Sequence, residues 1–187
     1  MLWDGPRRKQ ACRCIKKPDL PPVRKELSVL ELRKINYDVL PEVLELRARP
    51  EQEQFTMPVA DSLLEAFAAR EDDRTVLPFG LYDGDTAVGF IMFGYGVTDE
   101  FGIPTVRGES YCIWRLMIDR AYQGRGLGRQ AMEAALDFLR DKPCGPASFV
   151  WLGVDPRNRA AIRLYERFGF RETGDECDDE IVVARAL

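Results

Sequence analysis

The chain contains no histidine. That absence removes Ser-His-Asp and Cys-His nucleophile pairs and the HExxH zinc site, so a reaction here must run on Tyr, Glu, Asp, Lys, Cys or the backbone. Long apolar runs are missing too: none approaches the ~20 residues of a membrane span, so no membrane partner is expected. Arg7 and Arg8 have no apolar segment behind them, which argues against a secretory signal. Cysteine is sparse. Cys12, Cys14, Cys112, Cys144 and Cys177 form an odd set without a CxxC pair. A disulfide framework fits poorly, no metal site is expected, and a reducing cytoplasmic setting is the simpler reading.

What is present is ordinary for one soluble domain: 187 residues, 45% hydrophobic and 31% charged. The charge is unevenly spread. Residues 1–25 hold eight Lys or Arg and two Asp; the remainder keeps 19 of the 27 basic and 29 of the 31 acidic residues, net −10 against −4 overall. An acidic body disfavours nucleic acid and favours a cationic partner, although acidity also serves solubility alone. The basic stretch 1–25, with four prolines and no sustained period, reads as a tail outside the fold, disordered or an extension. The domain is expected over residues 26–187.

Hydrophobic period divides that domain into alternating elements. "LSVLELRKI" at 27–35 alternates like a strand; residues 38–48 and 57–71 read as helices, the second entered near Asp61 or Ser62. "VLPFGLYDGDTAVGFIMFGYG" reads as two strands joined at Asp83-Gly84-Asp85. "ESYCIWRLMID" at 109–119 is a long strand. A helix follows to about Arg140, with Leu127, Ala131, Met132, Ala135, Leu136 and Leu139 on one face. "ASFVWLGV" is a strand, "NRAAIRLYERFGF" a helix ending before a left-handed Gly169, and "EIVVARAL" a closing strand. The order is mixed β and α, without internal repeat.

Between strand and helix lies "QGRGLG", Gln123 to Gly128. It fails the dinucleotide fingerprint G-x-G-x-x-G, because residue 129 is arginine, and it lacks the Lys-Ser or Lys-Thr of a nucleotide-binding P-loop. What remains is a run of bare amides at a helix N-terminus, a concave anion site that the helix dipole reinforces, with Arg125 and Arg129 adding charge. Tight strand–helix packing alone would also use glycine here. Downstream, Asn158 and Tyr165 stand seven residues apart, about two helical turns, on one face. Core packing is the ordinary role of such a tyrosine.

Together these residues resemble a family. Gln123-x-x-Gly126-x-Gly128 is similar to the acetyl-CoA pyrophosphate motif Q/R-x-x-G-x-G/A of the GNAT N-acetyltransferases. "NRAAIRLYERFGF" resembles that superfamily's following motif, and "LMID" its cofactor-facing strand. The resemblance covers about 28–187. It implies an α/β (mixed α+β) fold: a central mixed, mostly antiparallel sheet splayed between its fourth and fifth strands and flanked by helices. It implies acetyl-CoA as acetyl donor, with backbone groups of Leu116, Met117 and Ile118 pairing with the pantetheine. Amides from Gln123 through Gly124, Arg125, Gly126, Leu127 and Gly128 to Arg129 would hold the pyrophosphate. Asn158 would contact the cofactor arm, and Tyr165 would protonate the departing thiolate. A phenol with pKa ~10 suits that role, and direct amine attack needs no histidine. The base is not identified; a water relayed to Glu or Asp is expected, with Glu109 one candidate.

The acceptor side resembles the bacterial diamine and spermine/spermidine acetyltransferase branch, through Gln52-x-x-Phe55 and the Trp114-Arg115 pair. The expected acceptor is a small cationic amine such as a polyamine, held by carboxylates. Glu51, Phe55, Glu109 and Trp114 are its candidate contacts, with Glu53, Asp119 and "GDECDDE" at 174–180 as further acidic groups. Asp119 at a strand end also reads as a turn or cap residue, "GDECDDE" as a solvated hairpin, and Trp114 as core. Two other readings remain: a GNAT enzyme of a protein, amino-acid or antibiotic amine, and a non-enzymatic acyl-CoA-binding domain. Many relatives dimerise, so the resemblance admits a homodimer.

Overall fold

The computed structural model describes residues 30–97 and 109–187. The expected basic tail, and the first residues of the strand expected at 27–35, lie outside the described residues.

Seven strands form one sheet in the order β1-β2-β3-β4-β5-β7-β6. They are β1 Glu31–Lys34, β2 Thr75–Asp83, β3 Thr86–Tyr95, β4 Ser110–Ile118, β5 Phe149–Val154, β6 Arg171–Cys177 and β7 Glu180–Ala186. Every neighbouring pair is antiparallel except β4–β5, which is parallel. A parallel pair needs a crossover, and α3 (Leu127–Arg140) supplies it. The other helices are α1 Leu40–Leu44, α2 Val59–Glu71 and α4 Arg159–Arg167, with a 3-10 helix at Pro50–Phe55.

The two faces of the sheet bury different sets of side chains. β3 is apolar almost throughout because both of its faces are covered. Ile91 and Phe93 pack with Leu127, Ala131, Ala135 and Leu139 of α3, the face that the helical period marks. Phe90 and Met92 pack instead with Val43 of α1 and with Val59 and Ala66 of α2. A third, smaller cluster joins Cys112, Trp151 and Val182.

Several boundaries depart from expectation. The helix expected at 38–48 is only five residues long, because the Asp119 carboxylate accepts from the Arg47 amide at 2.8 Å and pulls the chain out of helical register. α2 begins at Val59, earlier than Asp61, behind Pro58, whose carbonyl accepts from both the amide and the hydroxyl of Ser62 at 3.0 Å. The 3-10 helix and the first half of β6 carry no clear period and are not expected from the sequence. The "GDECDDE" hairpin does form, through β6, a turn at Asp178-Asp179 and β7.

Candidate active site

The site starts from a failure of pairing. β4 and β5 are joined only at Ser110–Phe149, Tyr111–Val150 and Cys112–Trp151. β4 then runs on to Ile118 and β5 to Val154 without meeting again. A bulge at Trp114 opens the divergence: Met92 pairs with Arg115 and Phe93 with Ile113, so Trp114 is the extra residue. The gap side of β4 is thus an edge with backbone groups free for a partner. Leu116 and Ile118 flank it. The Met117 carbonyl turns away, toward β3, since a Cβ on Gly89 would lie 2.4 Å from that oxygen. Ile118 O accepts from Gln123 Nε2 at 2.9 Å.

At the end of β4 the glycine loop enters α3. Gly124 and Gly126 have φ of +80° and +82°, the left-handed region where glycine alone is unstrained. A Cβ on either would meet nothing within 4 Å, so the concavity in front of them is open. Gly126 is the N-cap residue and offers no side chain; Arg129 and Gln130 donate to its carbonyl, which leaves the Leu127 and Gly128 amides ahead of the first helical bonds. No acidic residue lies in that first turn. Gly128 is helical, and a Cβ there would meet Leu164 of α4 at ordinary contact distance. The arginines are held by protein: Arg125 stacks on Tyr122 and donates to Ala121 O, while Arg129 pairs with Glu133 at 2.9 Å.

α4 is positioned at both ends. Asn158 is its N-cap, and Oδ1 accepts from the Ala161 amide at 3.2 Å. At the other end Phe170 N donates to Tyr165 O and Gly169 N to Glu166 O, with Gly169 at φ +83°. This is a Schellman closure, and the accompanying apolar contact is the Tyr165–Phe170 ring pair at 6.0 Å. "YERFGF" therefore fixes the very tyrosine that the motif singled out. The Tyr165 hydroxyl makes no hydrogen bond among the described residues. Burial first, and then the charge of Glu180, raise its pKa above the ordinary phenol value, so the proton stays on oxygen. Tyr165 also borders a hollow of about 310 Å³ with Ile162, Phe170 and Val183, which no β4 or glycine-loop residue lines.

On the opposite face the 3-10 helix brackets the gap. Gln123 Nε2 donates to Gln52 Oε1 at 2.7 Å, and the Arg157 guanidinium, beyond β5, lies 5.9 Å from the Phe55 ring. Phe55 is thus part of the rim, while Glu51 beside it is exposed. Trp114 is half-buried between two apolar clusters at the bulge. Glu109 precedes β4 at the closed end, where its charge reaches Tyr95, and the structure does not bring it to the gap. Asp119 is buried and spent on the backbone, accepting from the Arg47 and Ala121 amides, as a turn residue does. The "GDECDDE" run is a hairpin that is not solvated throughout: Glu180 is half-buried, and a Cβ on Gly153 would sit 2.2 Å from its Oε2. Sequence reasoning missed the Gln52–Gln123 link and the Gly153–Glu180 contact. Both join segments far apart in the chain, and a lone glycine at the end of a strand was their only trace.

With that geometry in hand, the comparisons decide the family. A model of the Acetyltransferase (GNAT) family matches residues 40–170. This chain belongs to that family. The GNAT chain is 36% identical over 113 residues to the spermine/spermidine N(1)-acetyltransferase of Bacillus subtilis strain 168, covering 59% of this chain and 70% of the relative. It is 32% identical over 115 residues to the ribosomal protein bS18-alanine N-acetyltransferase of Escherichia coli K12, covering 57% and 76%. Spermidine N-acetyltransferase from Vibrio cholerae, solved in complex with CoA and spermine, superposes with a TM-score of 0.57 at 20% identity over 86% of this chain and 95% of that one. The GNAT chain is an acetyl-CoA-dependent N-acetyltransferase. Its open glycine concavity, acid-free helix N-terminus and unpaired strand edge fit that cofactor. No helix among the described residues is long and apolar enough to cross a membrane.

Proposed function

We propose that this GNAT enzyme acetylates a primary amine of a small cationic acceptor, with polyamines of the spermidine and spermine class as the leading candidates. One observation carries the reading: the carboxylate of Glu180, half-buried on β7 beside the parted end of β5, forms no hydrogen bond or ion pair among the described residues. Arg115, the nearby cation, is paired with Glu65, so a half-buried carboxylate is left without an ion pair of its own, and an incoming ammonium would complete it. Three other acids near the opening are already engaged. Asp155 is clamped by Arg157 at 2.6 Å, Glu65 by Arg115 at 2.9 Å, and Asp119 by two amides. The acidic body and the Bacillus relative point the same way.

Bound acetyl-CoA supplies the activated acetyl thioester. The amides from Gln123 to Arg129 cradle its pyrophosphate, the helix dipole of α3 favours that charge, and the Leu116 and Ile118 edge aligns the arm. Asn158, whose Oδ1 is spent on the cap, retains its amide hydrogens for the arm. Tyr165 holds a proton at its hydroxyl for the leaving sulfur. Phe55, Trp114 and the exposed Glu51 line the approach from the α1–α2 face. The test is thiol release from acetyl-CoA across spermidine, spermine, an aminoglycoside and a peptide with a free alanine N-terminus. Spermidine or spermine should give a kcat/KM about tenfold or more above the rest, the size of one charge-assisted contact. Inert polyamines beside a reactive peptide would overturn the acceptor.

A further inference from the structure

Deprotonation of the acceptor needs a base, and the described residues include no histidine. The strand parity around Gly153 narrows the search. Val150, Leu152 and Val154 face α3 and the helix that carries Tyr165, whereas Trp151 and Val182 face the α1–α2 side. Gly153 shares the parity of Trp151, and Glu180 that of Val182. Gly153 also lies beyond the last β4–β5 pair, inside the gap. Its missing side chain is what admits the carboxylate: besides Oε2 at 2.2 Å, Glu180 Cδ would lie 3.2 Å from a Cβ there. Glu180 thus lies on the face of the sheet opposite the helix that carries Tyr165, the arrangement that removing one proton and delivering another requires.

We propose that Glu180 is the general base that takes a proton from the acceptor's ammonium, an assignment that rests on the amine acceptor argued above. In that step one N–H bond of the ammonium breaks and one O–H bond forms on the Glu180 carboxylate, leaving a neutral amine and a neutral acid; the acid later returns its proton to solvent. The charged and titratable groups around Glu180 are Arg115 on β4, Asp155 after β5, Asp178 in the hairpin turn, Cys112 on β4, Cys177 on β6 and Tyr165 on α4. Burial, Asp155 and Asp178 raise the Glu180 pKa, and Arg115 opposes them. The net upward shift brings the carboxylate closer to the range in which a base works well at neutral pH.

The experiment compares wild type, Glu180→Gln and Gly153→Ala, with spermine and the alanine peptide as probe amines, from pH 6 to 10. In Glu180→Gln, kcat at pH 7 should fall about 100-fold, within the usual span for a lost general base. The deficit should shrink as pH rises and solvent deprotonates the amine. Gly153→Ala, which displaces the flexible carboxylate, should show the same pH-dependent deficit. Both variants should keep the CoA-induced rise in Tm. Because folding raises the pKa of this carboxylate, the native state binds more protons, and stability is lost as pH climbs from the ordinary value of 4.5 through the folded one. The Tm of Glu180→Gln at pH 7 should therefore be no lower than that of wild type. A Glu180→Gln rate within threefold of wild type, a deficit equal at every pH, or a clear fall in Tm would overturn the base assignment. If wild type itself acetylates neither probe, the acceptor reading falls and takes this assignment with it.

Discussion

α3 and α4 follow the two parallel strands, and their N-termini are built in opposite ways. α4 opens on Asn158, whose side chain satisfies the Ala161 amide. α3 opens on Gly126, which has no side chain, and its first turn has no acid to answer the dipole. Their packing differs as well. α3 buries seven residues against the sheet, whereas α4 has none fully buried and depends on its caps to hold Tyr165 in place. A helix end that is left open and positively biased, on the more firmly anchored of the two helices, suits the anion proposed for it. A capped end on the looser helix is a structural fixture.

Three substitutions can break or sharpen that contrast. Gly126→Val should have the largest effect. It forces a β-branched residue to φ +82° and fills the open concavity, so CoA affinity should drop more than about 100-fold, at a folding cost of about 1–3 kcal/mol. Loss of the CoA-induced thermal shift reads this out, and tight binding by the variant would refute the cradle. Tyr165→Phe removes only the hydroxyl. Turnover should fall on the order of 10²–10³ with CoA affinity almost intact, measured by steady-state kinetics beside calorimetric binding. An equal loss of binding would make the tyrosine structural. Asn158→Ala should be mildest, costing about 1 kcal/mol as an N-cap and lowering Tm by about 2–4 °C. If CoA affinity falls along with Tm, the Asn158 amide also contacts the cofactor arm.

Much of the fold was legible because it rests on local pattern. The apolar face of α3, the Gly84-Asp85 turn between β2 and β3, and the Gly169 closure of α4 each lie within one stretch of chain. The glycine loop was legible for the same reason, since Gly124 and Gly126 serve the backbone where they stand. The acceptor side was not. Glu109 was named because it sits at the start of β4, yet only the pairing register shows that this is the closed end of the β4–β5 pair. Glu180 was read with its acidic neighbours as a solvated run, because burial is a property of the surroundings and leaves no mark on the residue itself.

The sequence by itself determined that the chain is an acetyl-CoA enzyme of this family, through two short motifs whose chemistry is carried by backbone freedom and helix ends, both local quantities. Only the tertiary structure decided where β4 and β5 part, which carboxylates are already paired, and which one is left half-buried against Gly153. Those are long-range matters. They depend on strand register, on the face to which each side chain points and on the exclusion of water, none of which exists until distant segments are brought together.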